Sequence, residues 1–414
     1  MAALRTTLAA TATLLTTATV LAPPAEAADK LPYSDQCSFP NGLYPGRPWS
    51  LQRVLLDELW SRSKGEGVRV AVIDTGVDVK NPQLTGAVDA KSGRNLLPRN
   101  LKDEDGDPIE RGKENGTTDT VGHGTKVAGI IAARPVSGTG FVGLAPKATI
   151  IPIQQNDAEG HGDTKTLAAA IRYAIQAKAQ VINISQDTSK ALKPADDLEK
   201  AIDEALAQKI VVVASAGNDG LGGNVKDTYP ASYKGVLAVA ASDRNNERAS
   251  FSQSNDSVGV AAPGVDMIST VPEGGHCADN GTSFSAPYVA GVAALIKARH
   301  PDWTAAQVVA QIEQTAERTI AGHDRLVGWG VVDPVRALTE DDHPIESPSP
   351  QGGLTRAQAP TAAKFQVGET PDERNARLAT YVAVAAAVLV AGLGGTAVAI
   401  RDARRRARRV AGAE

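Results

Sequence analysis

Short apolar runs at residues 68–74, 149–153, 181–184, 210–214 and 236–240 constrain this chain more than any other feature, because helix-like stretches separate most of them. The runs read as buried strands. Residues 126–133 follow a glycine turn, and 167–177 and 198–208 place apolar side chains at amphipathic helical spacing. Strands that alternate with helices predict an α/β fold with a doubly wound, mostly parallel sheet. The 414 residues, 42% of them hydrophobic, suffice for one large domain or two ordinary ones with a sizeable core.

The two ends read differently from the middle. Residues 1–27 carry the marks of a signal peptide: Arg5 is the only positive charge, residues 8–21 are uncharged, and Ala25-Glu26-Ala27 supplies a cleavage signal. A Pro/Gly-rich extension follows at 28–50, too short to bury a core of its own. Leu51, Val54, Leu55 and Leu59 then fall at the spacing of one helix with Ser50 as its N-cap. Near the other end, residues 379–400 carry no charge, and about 22 residues make a helix roughly 33 Å long, the thickness of a bilayer core. The expected organisation is a globular domain over 51–338, a flexible stalk over 339–377, a transmembrane helix over 378–400 and a basic tail over 401–414. Arg401, Arg404, Arg405, Arg406, Arg408 and Arg409 crowd that tail. The positive-inside rule then places the tail in the cytoplasm and the domain outside, as a single-pass protein of the cell membrane. A net charge of −4 gives no reason to expect a nucleic-acid partner. Cys37 and Cys277 are the only cysteines; in an exported chain an even count suggests a disulfide, with two free thiols as the alternative.

Chemistry concentrates at four places. Ser283 lies in Asn280-Gly281-Thr282-Ser283-Phe284-Ser285-Ala286-Pro287, a glycine turn that opens a long apolar helix-like stretch. A hydroxyl at a helix N-terminus sits where free backbone N–H groups and the helix dipole favour developing negative charge. It becomes a nucleophile if a histidine and a carboxylate converge on it. Asp74 ends the first strand in Asp74-Thr75-Gly76; no second Asp-Thr-Gly or Asp-Ser-Gly exists to make an aspartic-protease pair. His123 stands between glycines in Gly122-His123-Gly124-Thr125, with no second histidine at i+3 or i+4 to make a metal site. Asn218 follows an apolar strand in Ala214-Ser215-Ala216-Gly217-Asn218, placed to donate its amide N–H to an oxyanion alongside the Ser283 N–H. Asp103, Asp105 and Asp107 suggest calcium, but Pro108 stands where an EF-hand loop needs glycine, so they read as a solvated acidic loop. No metal or other cofactor is expected.

In order and in wording, Asp74, His123, Asn218 and Ser283 resemble the subtilisin family of serine proteases, over roughly residues 50–338. The resemblance implies that Ser283 attacks the scissile carbonyl, His123 takes and returns the proton, Asp74 orients the imidazole and Asn218 helps bind the oxyanion. It also implies that strand 181–185 pairs with extended polypeptide substrate, with Ser185 and Gly217 among the substrate-binding residues. Gln186 and Asp187 depart from the apolar and glycine residues many relatives have there. Within that family the layout is similar to the mycosins, membrane-anchored proteases of type VII secretion systems. Ile151-Pro152-Ile153-Gln154-Gln155-Asn156 and Val327-Gly328-Trp329-Gly330-Val331-Val332-Asp333-Pro334 also match them in wording. Lys126 stands where many secreted subtilisins have a second histidine. By this resemblance the extension wraps over the protease. Mycosins commonly carry a cysteine just before Gly-His-Gly, where this chain has Thr120 and Val121, which leaves Cys277 as the one available partner for Cys37. The implied function is a membrane-anchored extracytoplasmic endopeptidase that serves a type VII secretion complex. A general surface subtilisin, or a secretion scaffold with dispensable proteolysis, are the alternatives.

Overall fold

The computed structural model describes residues 37–102, 106, 111–157, 162–185, 195–221, 227–350 and 371–410. The signal peptide, the acidic triplet Asp103, Asp105 and Asp107, the pair Gln186 and Asp187, and residues 351–370 of the stalk lie outside the described residues. Seven strands form one sheet: β1 (Arg69–Asp74), β2 (Arg94–Asn95), β3 (Thr149–Gln154), β4 (Val181–Ile184), β5 (Val211–Ser215), β6 (Leu237–Ser242) and β7 (Val258–Pro263). All neighbours are parallel, in the order β2-β3-β1-β4-β5-β6-β7. The order reverses between β1 and β4. In open α/β sheets a crevice opens at the carboxyl ends of the strands at such a point, and Asp74 is the last residue of β1.

Both faces of the sheet are covered, which is why the strands are mostly apolar rather than alternating. Val70 and Val72 of β1 face a core shared with α3 (His123–Ala132) and α6 (Thr282–Arg299). Ala71 and Ile73 face the opposite core, shared with α4 (Thr164–Gln176) and α5 (Asp196–Ala207). Every residue of α6 from Thr282 to Lys297 is buried, as expected of a helix that is apolar all round. Lys297 closes its C-terminal end by donating Nζ to the carbonyls of Pro301 and Trp303, at 2.9 and 2.8 Å. The next helix, α7 (Ala305–Thr315), starts at a reciprocal cap between Thr304 and Gln307. The segment 328–333 closes the domain against β7, through bridges at Val260–Gly328 and Ala261–Val331.

Three expectations change. The single helix over Leu51–Leu59 is two, α1 (Trp49–Gln52) and α2 (Leu56–Arg62). The break turns Leu55 outward, 64% exposed, so that Leu56 joins Leu51, Val54 and Leu59 in the core. The start of the expected stalk is part of the domain. After α8 (Pro334–Thr339), Asp341 is buried and accepts from Arg299 Nε at 2.8 Å and His300 Nε2 at 2.6 Å. Finally, the C-terminal helix is longer than its apolar span. It runs over Pro371–Val410. Within it, Glu373–Arg406 is long and apolar enough to cross a membrane, by length and composition.

The described part of the extension lies along a hairpin, β8 (Met267–Thr270) and β9 (His276–Asp279), which leads into α6. Asn41 N–H donates to Gly274 O, His276 N–H to Gly42 O, and Tyr44 N–H to His276 Nδ1, each at 3.0 Å. Because Tyr44 N–H can only donate, Nδ1 is the acceptor and Nε2 carries the proton toward Gln83 Oε1 at 2.6 Å. Burial pushes the pKa of this neutral His276 down to about 4. A disulfide between Cys37 and Cys277 fastens the strap, with Cα atoms 6.0 Å apart and a sequence separation of 240. So large a loop is costly to close in the unfolded chain. Replacing both cysteines by serine should therefore lower stability by roughly 2–5 kcal/mol. Equal thermal midpoints for the double variant and the parent, with and without reductant, would count against the bond.

Candidate active site

Asp74 is carried to the carboxyl end of the sheet by β1 and is 2% exposed. Its Oδ1 accepts from Thr75 N–H at 2.8 Å and meets His123 Nδ1 at 2.7 Å. Its Oδ2 is buried without a partner among the described residues. The His123 ring, 22% exposed, is therefore held by one short bond to a carboxylate that has little else to neutralise it. Burial pulls the His123 pKa down, but the charge and hydrogen bond of Asp74 outweigh it and leave the pKa above the ordinary imidazole value.

The turn before α3 is built around Asp119, which the sequence reading did not single out. Its buried carboxylate accepts from Thr75 Oγ1, Val121 N–H, Gly122 N–H, Thr125 N–H and Thr125 Oγ1, at 2.6–3.2 Å. Burial pushes its pKa up, against the pull of those donors. Thr75 Oγ1 in turn accepts from Gly124 N–H at 3.0 Å. The Asp74 loop and the His123 helix are thus tied by shared hydrogen bonds on both sides of the imidazole. Gly122 is required in this turn: its φ is +82°, and a Cβ there would stand 2.3 Å from Cζ of Phe39 in the strap. A carboxylate shortly before a helix start is an N-capping signal, so Asp119 was readable in principle.

Ser283 is the second residue of α6 and is 2% exposed, and its Oγ has no hydrogen-bond partner among the described residues. Catalytic hydrogen bonds are often long before substrate binds. The next residue, Phe284, packs its ring 5.3 Å from the His123 ring, which brings α6 and α3 together at this point. Gly281 precedes the helix with φ and ψ both 153°, a region essentially open only to glycine. Asn218 reaches the same turn: its Oδ1 accepts from Thr282 N–H at 2.9 Å and Thr282 Oγ1 at 3.0 Å. Since Thr282 N–H can only donate, the acceptor is Oδ1, and the Asn218 NH₂ is left to face the Gly281–Ser283 turn. Thr282 is the orienting residue that sequence reasoning missed, although it sits inside the Gly-Thr-Ser run.

The two substrate-binding candidates part company. Gly217, with φ +105°, lines a small cavity together with Ile184, Asn218, Asp219 and Thr228. Ser185 is fully buried, and its Oγ accepts from Asn183 Nδ2 at 2.7 Å instead of facing that cavity.

A hydroxyl at a helix N-terminus, an imidazole and a buried carboxylate, with an amide donor beside them, form the set that acyl transfer uses. The profile of the Peptidase_S8 subtilase family matches residues 65–330, well over half of the chain. The chain belongs to the subtilase family. Among curated subtilases, Subtilisin E of Bacillus subtilis is 37% identical over 290 residues, 69% of this chain and 69% of that protein. Subtilisin Savinase of Lederbergia lenta is 36% identical over 286 residues, 69% of this chain and 96% of that protein. Among solved subtilase structures, the MycP3 protease from the type VII (ESX-3) secretion system superposes with a TM-score of 0.62 at 33% identity, covering 72% of this chain and 91% of that one. MycP1 from Mycobacterium smegmatis gives 0.59 at 31% identity, covering 82% and 92%. The protein is a subtilisin-like serine protease with mycosins among its structural neighbours.

Proposed function

We propose that this subtilase is a membrane-anchored endopeptidase of mycosin type, with Asp74, His123 and Ser283 as its triad, working outside the membrane in a type VII secretion system. The observation that carries the triad is the 2.7 Å contact between His123 Nδ1 and a buried, otherwise under-neutralised Asp74. That contact fixes the tautomer: Nδ1–H points at Asp74 and Nε2 is free to take a proton. Ser283 Oγ attacks the peptide carbonyl and its proton passes to Nε2. The imidazolium so formed lies against the Asp74 charge. The tetrahedral oxyanion is met by Asn218 Nδ2 and by the Ser283 N–H, one of the helix N–H groups without an intrahelical acceptor. Collapse expels the amine, which leaves with the proton from His123, and water then releases the acyl group by the same steps. Gly217 lines the small cavity next to Asn218, which is our candidate for the entry of a substrate side chain.

The anchor and the partner rest on other features. Glu373–Arg406 supports a single span, and the arginines that follow its uncharged stretch at 379–400 support a cytoplasmic tail. The strap on β8–β9, the mycosin neighbours and the layout of the chain together support the secretion role over general surface proteolysis. With an epitope at the C-terminus, protease added to intact cells should leave the epitope whole while digesting the domain; loss of the epitope would overturn the topology. Deletion of the chain should stop type VII secretion. Secretion that continues unchanged would overturn the secretion role, and rescue by Ser283→Ala would favour a scaffold over a protease.

A further inference from the structure

Lys126 is an outlier in the core. It lies three residues after His123, on the same face of α3, and only 9% of its side chain is exposed. Its Nζ reaches Asp279 Oδ2 at 2.7 Å, and the Asp279 side chain is 22% exposed. Asp279 ends β9, four residues before Ser283. The Phe284 ring of α6 packs toward α3, 5.3 Å from the His123 ring and 6.0 Å from Lys126 Nζ. The ion pair therefore joins the helix of the base to the segment of the nucleophile, partly buried and so less screened than a surface pair.

We propose that Lys126 and Asp279 are paired positioning residues of the reaction, which bridge α3 to the Ser283 turn and hold the charge around the His123 imidazole close to balance. The inference rests on His123 being the base. The charged groups that face the imidazole are Asp74 from β1, Lys126 from α3 and Asp279 from β9, with Asp119 in the preceding turn engaged by its own donors. Asp74 is the partner that must stay dominant. Lys126 disfavours the imidazolium and Asp279 favours it, so the two offset one another only while both are present.

The sign of each perturbation follows. Activity needs neutral His123, so the acid limb of kcat/KM tracks its pKa. Asp279→Asn leaves the lysine charge unopposed and should move the acid limb to lower pH. Lys126→Gln leaves the aspartate unopposed and should move it to higher pH. The double variant Lys126→Gln/Asp279→Asn should return the limb to the parent position, and Lys126→Arg should keep it there. On the limb, a shift of one pH unit is a tenfold change in rate at fixed pH. A purely structural pair would lower kcat/KM in both single variants without moving the limb in opposite directions.

The test is the rate of fluorophosphonate labelling against pH for the full-length protein in membranes, beside turnover of a chromogenic peptide. Opposite shifts that cancel in the double variant support the proposal. Shifts in one direction, or none, overturn it. If Lys126→Gln does not accumulate, Asp279→Asn decides alone, and an unmoved limb there overturns it. Labelling that persists in Ser283→Ala would instead bring down the triad reading, a result distinct from an unmoved limb in an otherwise Ser283-dependent enzyme.

Discussion

Replacing Ser283 by alanine should lower turnover by about a millionfold and abolish fluorophosphonate labelling, because nucleophile and base act as a unit and neither works alone. The same change should leave folding intact. Ser283 Oγ is buried without a hydrogen-bond partner among the described residues, so removing it deletes an unsatisfied polar group rather than a contact. The expected change in stability is zero or a gain of about 1 kcal/mol. An inactive variant with an unchanged or slightly higher thermal midpoint is therefore the predicted pair of results. Labelling that persists would show that the nucleophile is another residue.

The second large effect is at Asp74. Asp74→Asn keeps the shape of the side chain but removes the charge that His123 faces at 2.7 Å. Turnover should fall by about ten-thousand-fold, since the imidazole loses both its tautomer and the stabilisation of its charged form. The pH profile should move as well. In the parent, the Asp74 charge and hydrogen bond hold the His123 pKa above the ordinary value of about 6.5. His123 is then neutral only above that raised pKa, so with His123 as base activity should be lost on the acid side earlier than a free imidazole would lose it. Without the charge, burial dominates and the acid limb should shift to lower pH even as the plateau collapses. A profile that keeps its acid limb in Asp74→Asn would mean that a different group sets it.

What the chain revealed in advance follows from the range of the forces involved. From Val211 to Ala214, β5 is a continuous apolar run with neighbours on both sides and both faces covered, so composition alone marks it out. β7 was missed because Gly259 and Pro263 interrupt its pattern. At Gly259 a Cβ would stand 2.6 Å from Leu237 Cδ1 of β6, so a side chain there would have to displace that leucine. Asp74, His123 and Ser283 could be singled out as candidates because each sits in a short local motif whose glycines have a backbone reason, as at Gly122 and Gly281. The ties between those motifs were not. Asp119 joins Thr75 across 44 residues and Lys126 joins Asp279 across 153, and nothing local in the sequence marks either pairing. The break between α1 and α2 is of the same kind, settled by which of Leu55 and Leu56 the core accepts.

The bond between Cys37 and Cys277 turns most of the domain into a covalent ring. Cutting one peptide bond anywhere inside a ring leaves a single molecule, whereas the same cut in an open chain leaves two fragments. A protease shares its compartment with active copies of itself, and exposed loop tips are where nicks fall. Here Asp74 and His123 lie inside the ring, and Ser283 lies six residues beyond Cys277. A single internal nick therefore leaves all three, and the strap, on one molecule, and two cuts are needed before any piece of the ring can leave.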